Sequence, residues 1–245
     1  MKSLACDLHV HTALSACAAR EMTPPDIVAT ARERGLDMIA VCDHNSAGNA
    51  AAVQQAAGER LGVVAGMEIT TAEEVHVLGY FPDADRAAAA ATKVAASLPD
   101  TDEEYARYFG EHDLLAADGS PRGAETKALA AATSLTLAES VALVKEQGGL
   151  AVAAHVDRRA FGVVAQLGFF PRDAGFDAVE VSWRVRDAAQ LAVFEAYGLP
   201  LLTSSDGHFL DDIGRARSRA TVAAATFAEL ALAVRDRDGR SIHRA

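Results

Sequence analysis

The stretch Asp7-Leu8-His9-Val10-His11-Thr12 follows directly on a short apolar run, Ser3-Leu4-Ala5-Cys6. If that run continues as a β-strand, alternation sends Asp7, His9 and His11 to one face and Leu8 and Val10 to the other. Two imidazoles pointing the same way at the end of a strand suit metal binding, because neutral imidazole is a ready ligand for zinc and its neighbours. The same pattern fits two surface histidines on a half-exposed strand, so the other histidines must decide. Six of the eight, His9, His11, His44, His76, His155 and His208, stand in or at the ends of runs of strand length, together with Glu68 and Asp206. His112 and His243 lie outside the pattern and read as packing or surface residues.

The elements that would position these groups alternate. Strands are expected over 3–10, 38–42, 63–70, 75–80, 150–154, 178–183, 201–205 and 218–222, with helices over 23–34, 46–60, 187–197 and 227–235. The first helix has Thr23 as its cap, prolines in its first turn and Gly35 as its stop. Between the runs bearing His76 and His155 the rhythm breaks. Residues 82–149 carry helical stretches at 84–97, 101–109 and 124–146 around a turn-rich loop at 118–123, too long for one crossover, and read as an insertion or small cap within a single domain of 1–245. The charged segment after the last helix reads as disordered. Strands alternating with helices argue a parallel sheet, and in a parallel barrel all eight ligand-type residues converge on the rim at the strands' C-terminal ends.

Composition narrows the classes. The chain has 245 residues, with 23 basic and 34 acidic side chains and a formal charge of −11. That balance argues against a broad electrostatic grip on nucleic-acid polymers or anionic membrane, so an anionic substrate must be captured locally. The three cysteines, Cys6, Cys17 and Cys42, are too few and too clustered for a disulfide framework and suit a reducing compartment. The N-terminus lacks the pattern of a cleaved signal and no run is long enough to span a bilayer; the expected location is the cytoplasm.

Taken in order, Asp7-Leu8-His9-Val10-His11-Thr12, Asp43-His44-Asn45, Gly66-Met67-Glu68, Ala154-His155 and Ser205-Asp206-Gly207-His208 resemble the motifs of the PHP (polymerase and histidinol phosphatase) superfamily of metal-dependent phosphoesterases. The likeness is strongest to a stand-alone bacterial branch. It implies a distorted (β/α)7 TIM-like barrel with two or three divalent ions, zinc, manganese or iron, at its mouth. Carried over by position, His9, His11, Glu68 and Asp206 would hold the first ion and a bridging Glu68 with His76 and His155 the second. A third would use His44 and His208 with a residue of the loop after His11. Many family members place Asp or His in that loop, whereas this chain offers Ala16 and then Cys17.

The implied reaction is hydrolysis of a small phosphomonoester by a metal-bridged hydroxide, with Glu68, Asp206, His208 and Arg158 as the catalytic set. Two divalent ions bring roughly +4 of charge against roughly −2 from Glu68 and Asp206, which makes a cationic pit suited to phosphate. Asp7 and Asp43 read as groups that orient the histidines. Arg158, Arg159 and Arg184 are candidates to clamp the phosphate, and Trp183 could stack on a ring. A metal-dependent C–N hydrolase of the amidohydrolase type also opens with His-x-His. Members with two bridged ions commonly need a modified lysine in mid-barrel, and Lys2, Lys93, Lys127 and Lys145 are not so placed. A non-catalytic interaction module would have no reason to retain all eight ligands.

Overall fold

The computed structural model describes residues 1–245. Its strands are β1 (Lys2–Val10), β2 (Met38–Val41), β3 (Gly62–Thr70), β4 (His76–Phe81), β5 (His112–Leu115), β6 (Pro121–Glu125), β7 (Leu150–Ala153), β8 (Ala178–Glu180), β9 (Leu201–Leu202), β10 (Ser218–Val222) and β11 (Ser241–Arg244). The helices are α1 (Pro24–Glu33), α2 (Ala50–Ala57), α3 (Ala84–Ala95), α4 (Glu103–Phe109), α5 (Leu137–Glu146), α6 (Val163–Leu167), α7 (Ala188–Glu195) and α8 (Phe227–Val234).

Strands β1, β2, β3, β4, β7, β8 and β9 hydrogen-bond in that order and curl into a distorted TIM-like barrel. The gap between β9 and β1 closes through a parallel bridge from Val10 to Gly207, in which His11 N–H donates to the Gly207 carbonyl at 2.9 Å and Gly207 N–H to that of His9 at 3.1 Å. Beyond β1, β10 and β11 continue the sheet antiparallel. Leu4, Cys6, Leu8, Met38, Cys42, Leu78, Tyr80, Val152 and Leu202 fill the barrel beneath the mouth. Outside, the faces carrying Val10, Ile39, Val41, Met67 and Val77 meet the helices in a second apolar layer. Cys6 and Cys42 are both buried in the inner filling, where loss of solvation raises their thiols, Cys6 to about 12. They are small apolar fillers rather than redox or metal groups.

Four expectations need correction. The sheet is not all parallel, because β3 turns directly into β4 and β4 lies antiparallel to both β3 and β7. All its residues are buried, so its continuous apolar run carries no mark of direction. The antiparallel course puts His76, the first residue of β4, at the same end as Thr70, the last of β3. Second, β1 does not alternate regularly. Its register with β2 shifts between Asp7 and Val10, so Leu8 stays with the inner filling while Val10 joins the outer layer. Such a bulge lets successive side chains change face, and it separates Asp7 from the two histidines.

Third, residues 124–136 are not helical. The turn-rich loop joins a hairpin, β5–β6, and α5 begins only at Leu137, after Thr136, whose capping box with Glu139 starts it. Thr133, just upstream, gives both its backbone N–H and its hydroxyl to the Thr70 carbonyl, at 2.9 and 2.8 Å, which takes its backbone donor out of any helical ladder. Helices α3 and α5 pack on β3, β4 and β7 as part of the outer layer. Fourth, the charged C-terminal segment is ordered as β11 on β10.

Asn49, fully buried, docks the hairpin onto the barrel. Its amide donates to Thr12 Oγ1 at 2.9 Å and to the Asp113 carbonyl at 3.0 Å, and its oxygen accepts from Leu115 N–H at 2.8 Å. Asn49→Ala strands those buried partners and should cost roughly 2–4 kcal/mol by the usual penalty for unsatisfied groups. Urea unfolding with a change under about 0.5 kcal/mol would show that the hairpin docks by other means.

Candidate metal centre

The mouth is organised by Glu68, which is 1% exposed. Its carboxylate lies 3.4 Å from His9 Nε2, 3.5 Å from His11 Nε2, 3.1 Å from His44 Nδ1, 2.8 Å from His76 Nδ1 and 3.2 Å from His155 Nε2. Asp206 Oδ1 comes within 3.3 Å of His9 Nε2 and 3.2 Å of His11 Nε2. Glu68 reaches this point because β3 runs on past the end of β2 beside Gly66. A Cβ there would lie 2.8 Å from both Cys42 Sγ and the Val41 carbonyl oxygen, so only glycine lets the strands approach so closely.

Hydrogen bonds fix the tautomers. His9 Nδ1 lies 3.2 Å from both oxygens of Glu180, an acceptor only when ionised, so Nδ1 carries the proton. Ser15 donates its hydroxyl to Asp43 at 2.8 Å and therefore accepts from His11 Nδ1–H at 3.0 Å. With both rings neutral, the two Nε2 atoms present lone pairs 3.1 Å apart that face two carboxylates, and a metal cation satisfies all four acceptors at once. A metal held at ~2.0–2.2 Å by a tetrahedron of nitrogen and oxygen ligands leaves them ~3.3–3.6 Å apart, close to the separations seen here.

Three groups have donor atoms all within 4.8 Å of one another: His9, His11, Glu68 and Asp206; His44, Glu68 and His76; and His11, His44 and His208. His155 Nε2 also stands 3.3 Å from His76 Nδ1. The donor set is that of a divalent-metal site. Burial disfavours every charge here, and charged neighbours outweigh it for His9 and Glu68. Glu180, Glu68 and Asp206 raise His9 well above its ordinary value, and His76, His9 and His44 hold Glu68 well below the carboxylate range. Burial holds His44 down at about 4.

The remaining expected residues fall in different places. Asp43 takes Thr12 N–H and Oγ1–H, each at 2.7 Å, and reaches His11 only through Ser15. Asp7 touches no histidine. It accepts from Ser205 N–H at 2.9 Å and Gly214 N–H at 2.7 Å, which holds the chain beside Asp206, and burial raises it to about 6 despite those bonds. Cys17 is not brought into any of the three groups, and His11 stands with His44 and His208 in its stead. Cys17 is exposed on the rim of a cleft of about 200 Å³ with Ala16, His44, His76, Phe109 and Phe161. Arg158 pairs with Asp206 at 2.5 Å. Arg159 is exposed, and Arg184 lies over the Trp183 ring at 5.5 Å.

The residue that motif reading missed is Glu180. It is 1% exposed, orients His9 and also accepts from His155 N–H at 3.3 Å. Its one signal was an acid inside the apolar run Ala178-Val179-Glu180-Val181. Strain gathers at the same rim. Asn45, His155, Phe161 and Asp206 have φ of 52°, 24°, 61° and 51°, a region that costs non-glycine residues of order 1–3 kcal/mol each. Phe161 in turn stacks on His76 at 4.3 Å and accepts its N–H at 2.9 Å.

With fold and site described, the class is settled: the chain belongs to the PHP domain family, whose model matches residues 7–158. That family is hydrolytic and metal-dependent. The lesion-specific endonuclease PfuEndoQ of Pyrococcus furiosus is similar in structure, with a TM-score of 0.74 and 20% identity over 98% of this chain. An Endonuclease Q complex with a 27-mer duplex substrate bearing an abasic lesion at its active site has a TM-score of 0.72 and 19% identity, again over 98% of this chain. The present chain spans 58% of each endonuclease chain. A Bifidobacterium adolescentis protein assigned as a metal-dependent phosphoesterase has a TM-score of 0.57 and 22% identity, covering 83% of this chain and 87% of its own. No curated protein matches the sequence.

Two tests follow from the geometry. Glu180→Gln removes the charge that fixes His9, so metal affinity should fall about ten- to a hundredfold, as for other orienting partners of metal histidines. An unchanged value by chelator competition would show that Glu180 is only packed there. Because the proton on His9 is held above its ordinary pKa, a metal must displace it. Affinity should therefore rise with pH through neutrality, by up to about tenfold per unit for one proton displaced, and a flat profile between about pH 6 and about pH 8 would contradict the assignment.

Proposed function

We propose that this chain is a metal-dependent phosphoesterase that hydrolyses small phosphomonoesters. The observation that carries the reading is the single buried carboxylate of Glu68 in reach of five histidines. In this reading His9, His11, Glu68 and Asp206 hold one ion, Glu68, His76 and His155 a second, and His44 and His208 a third with His11. When bound, such ions supply Lewis acidity that makes water nucleophilic near neutral pH and draws charge off a phosphoryl oxygen. Glu68 and Asp206 set the charge of the site. Glu180 and Ser15 hold His9 and His11 in one tautomer, and His208 does the same for itself by donating Nδ1–H to the Asp206 carbonyl at 2.9 Å.

Arg158 is the group we assign to the phosphate. Its side chain is 41% exposed at the mouth, and a substrate oxyanion can share its guanidinium with Asp206. Arg159 and Arg184 make no contact with the donors and are weaker candidates. The lysines tell against C–N hydrolysis of the bridged-lysine type: Lys93, Lys127 and Lys145 are engaged with Glu146, Asp100 and Asp177, all away from the mouth.

Size selection comes from the 82–149 segment. Phe109, at the end of α4, lines the cleft beside His44 and His76, so this segment roofs part of the mouth. The same helix begins with Asp102, Glu103 and Glu104, whose charge repels a polyanion while a small ester can still enter. The likeness to Endonuclease Q supports the rival reading, a nuclease acting on a strand. The two separate in turnover of a mononucleotide against a single-stranded oligonucleotide with matched ends at low salt. We expect the mononucleotide to be favoured at least tenfold and Glu68→Ala to be inactive on both. Equal or better turnover of the oligonucleotide would establish the nuclease reading.

A further inference from the structure

A second cationic feature lies outside the metal centre, in a chain whose formal charge is −11. A pocket of about 360 Å³ is lined by Trp183, Thr203 and four arginines, Arg186, Arg215, Arg217 and Arg244, with Ala216 and Ala245. It lies by the mouth. Trp183 follows Glu180 by three residues and Thr203 precedes Asp206 by three, which limits each Cα separation to about 11 Å.

The arginines are poorly neutralised. The arginine ion pairs of the whole structure involve Arg34, Arg158, Arg215 and Arg240, so of this cluster only Arg215 has a carboxylate partner, Asp212 at 2.8 Å. Arg217 donates Nε–H to the Gly214 carbonyl at 2.9 Å and keeps its terminal amino groups free of any protein acceptor. Arg244 donates through Nη2 to the Val185 carbonyl, but its Nη1 is buried with no partner at all. Its neighbours include Asp157, whose two oxygens are engaged by Ser182 N–H and Oγ–H at 2.7 and 2.6 Å, and Arg186. Burial disfavours charged Arg244, Asp157 opposes it, and the Arg186 charge adds to it more weakly.

Holding guanidiniums together in this way is unfavourable without an anion, since like charges repel and a buried N–H left unpaired costs about 1–3 kcal/mol. The Trp183 ring offsets part of this by taking Arg184 and Arg215 at 5.5 and 5.9 Å, and those contacts occupy the indole against stacking on a substrate ring. Planar guanidiniums converging on one space match the oxygens of a phosphate.

We propose that Arg186, Arg215, Arg217 and Arg244 form a phosphate-binding pocket separate from the metal centre. It takes a phosphoryl group that is not the one hydrolysed. The group comes either from a small phosphate in solution or from a flanking phosphodiester of a nucleic-acid strand. The inference is independent of the hydrolytic reading, because it concerns binding alone.

Trp183 is the only tryptophan in the chain, so its emission reports on this pocket directly. The metal-loaded full chain is titrated with inorganic phosphate, and separately with a short thymidine oligonucleotide, at constant ionic strength. The same is done with Arg186→Gln/Arg217→Gln, and with Arg186→Gln alone, whose exposed side chain makes no bond that folding needs. A saturable change in the parent, weakened at least tenfold in the double variant, is the result expected for phosphate. If only the oligonucleotide shows that weakening, the pocket binds a strand phosphate. No saturable change with either probe, or equal affinities in parent and variants, would overturn the proposal.

Discussion

The structure depends on a carboxylate shut away from solvent. Glu68 is almost fully buried at the end of an apolar strand, where an isolated charge would cost several kcal/mol. It is tolerable only because imidazoles surround it, and they in turn leave lone pairs facing one another across about the spacing that a metal ion spans. Each charge in the mouth is therefore a condition for the next. Removing any one exposes its neighbours to uncompensated burial, which is why the site has to be built complete.

The barrel supplies that arrangement by geometry rather than by local sequence. The bulge in β1 brings His9 and His11 inward, the antiparallel β4 turns His76 back to the mouth, and the Val10 to Gly207 bridge sets Asp206 and His208 against β1. The support reaches one layer further out. Glu180 and Ser15 choose the histidine tautomers, Asp43 holds Ser15, and Asp7 holds the loop of Asp206. Left-handed backbone at His155 and Asp206 adds strain that the closed barrel can bear, since their loops are tied at both ends.

Residues 82–149 serve two structural purposes. Helices α3 and α5 complete the outer apolar layer, whereas Phe109 of α4 lines the cleft beside His44 and His76 and the β5–β6 hairpin docks on Asn49. His112 joins the two parts. Its Nδ1 donates to the Leu14 carbonyl at 3.0 Å and its Nε2 accepts from Tyr105 at 3.0 Å, so the loop that carries Ser15 and the helix that carries Phe109 share one buried ring.

The barrel class and the eight ligand-type residues were legible in the sequence alone. A histidine or acid at the end of an apolar run is a conspicuous local signal, and the ordered motifs reinforce one another. What tertiary structure decided was everything set by contacts distant in sequence. The direction of β4 was hidden because a strand buried on both faces has the same composition in either orientation. The break in β1 alternation came from pairing with β2, and the loss of a helix over 124–136 from the pairing of β6 with β5 and the Thr133 N–H bond to the Thr70 carbonyl. Glu180 could not be assigned a role without seeing His9 across 171 residues of chain. Cys17 lay at the right distance along the chain for a ligand, yet the loop turns it to the rim and His11 takes its place beside His44 and His208. Periodicity and residue type determine which side chains can bind metal; closure of the barrel determines which of them meet.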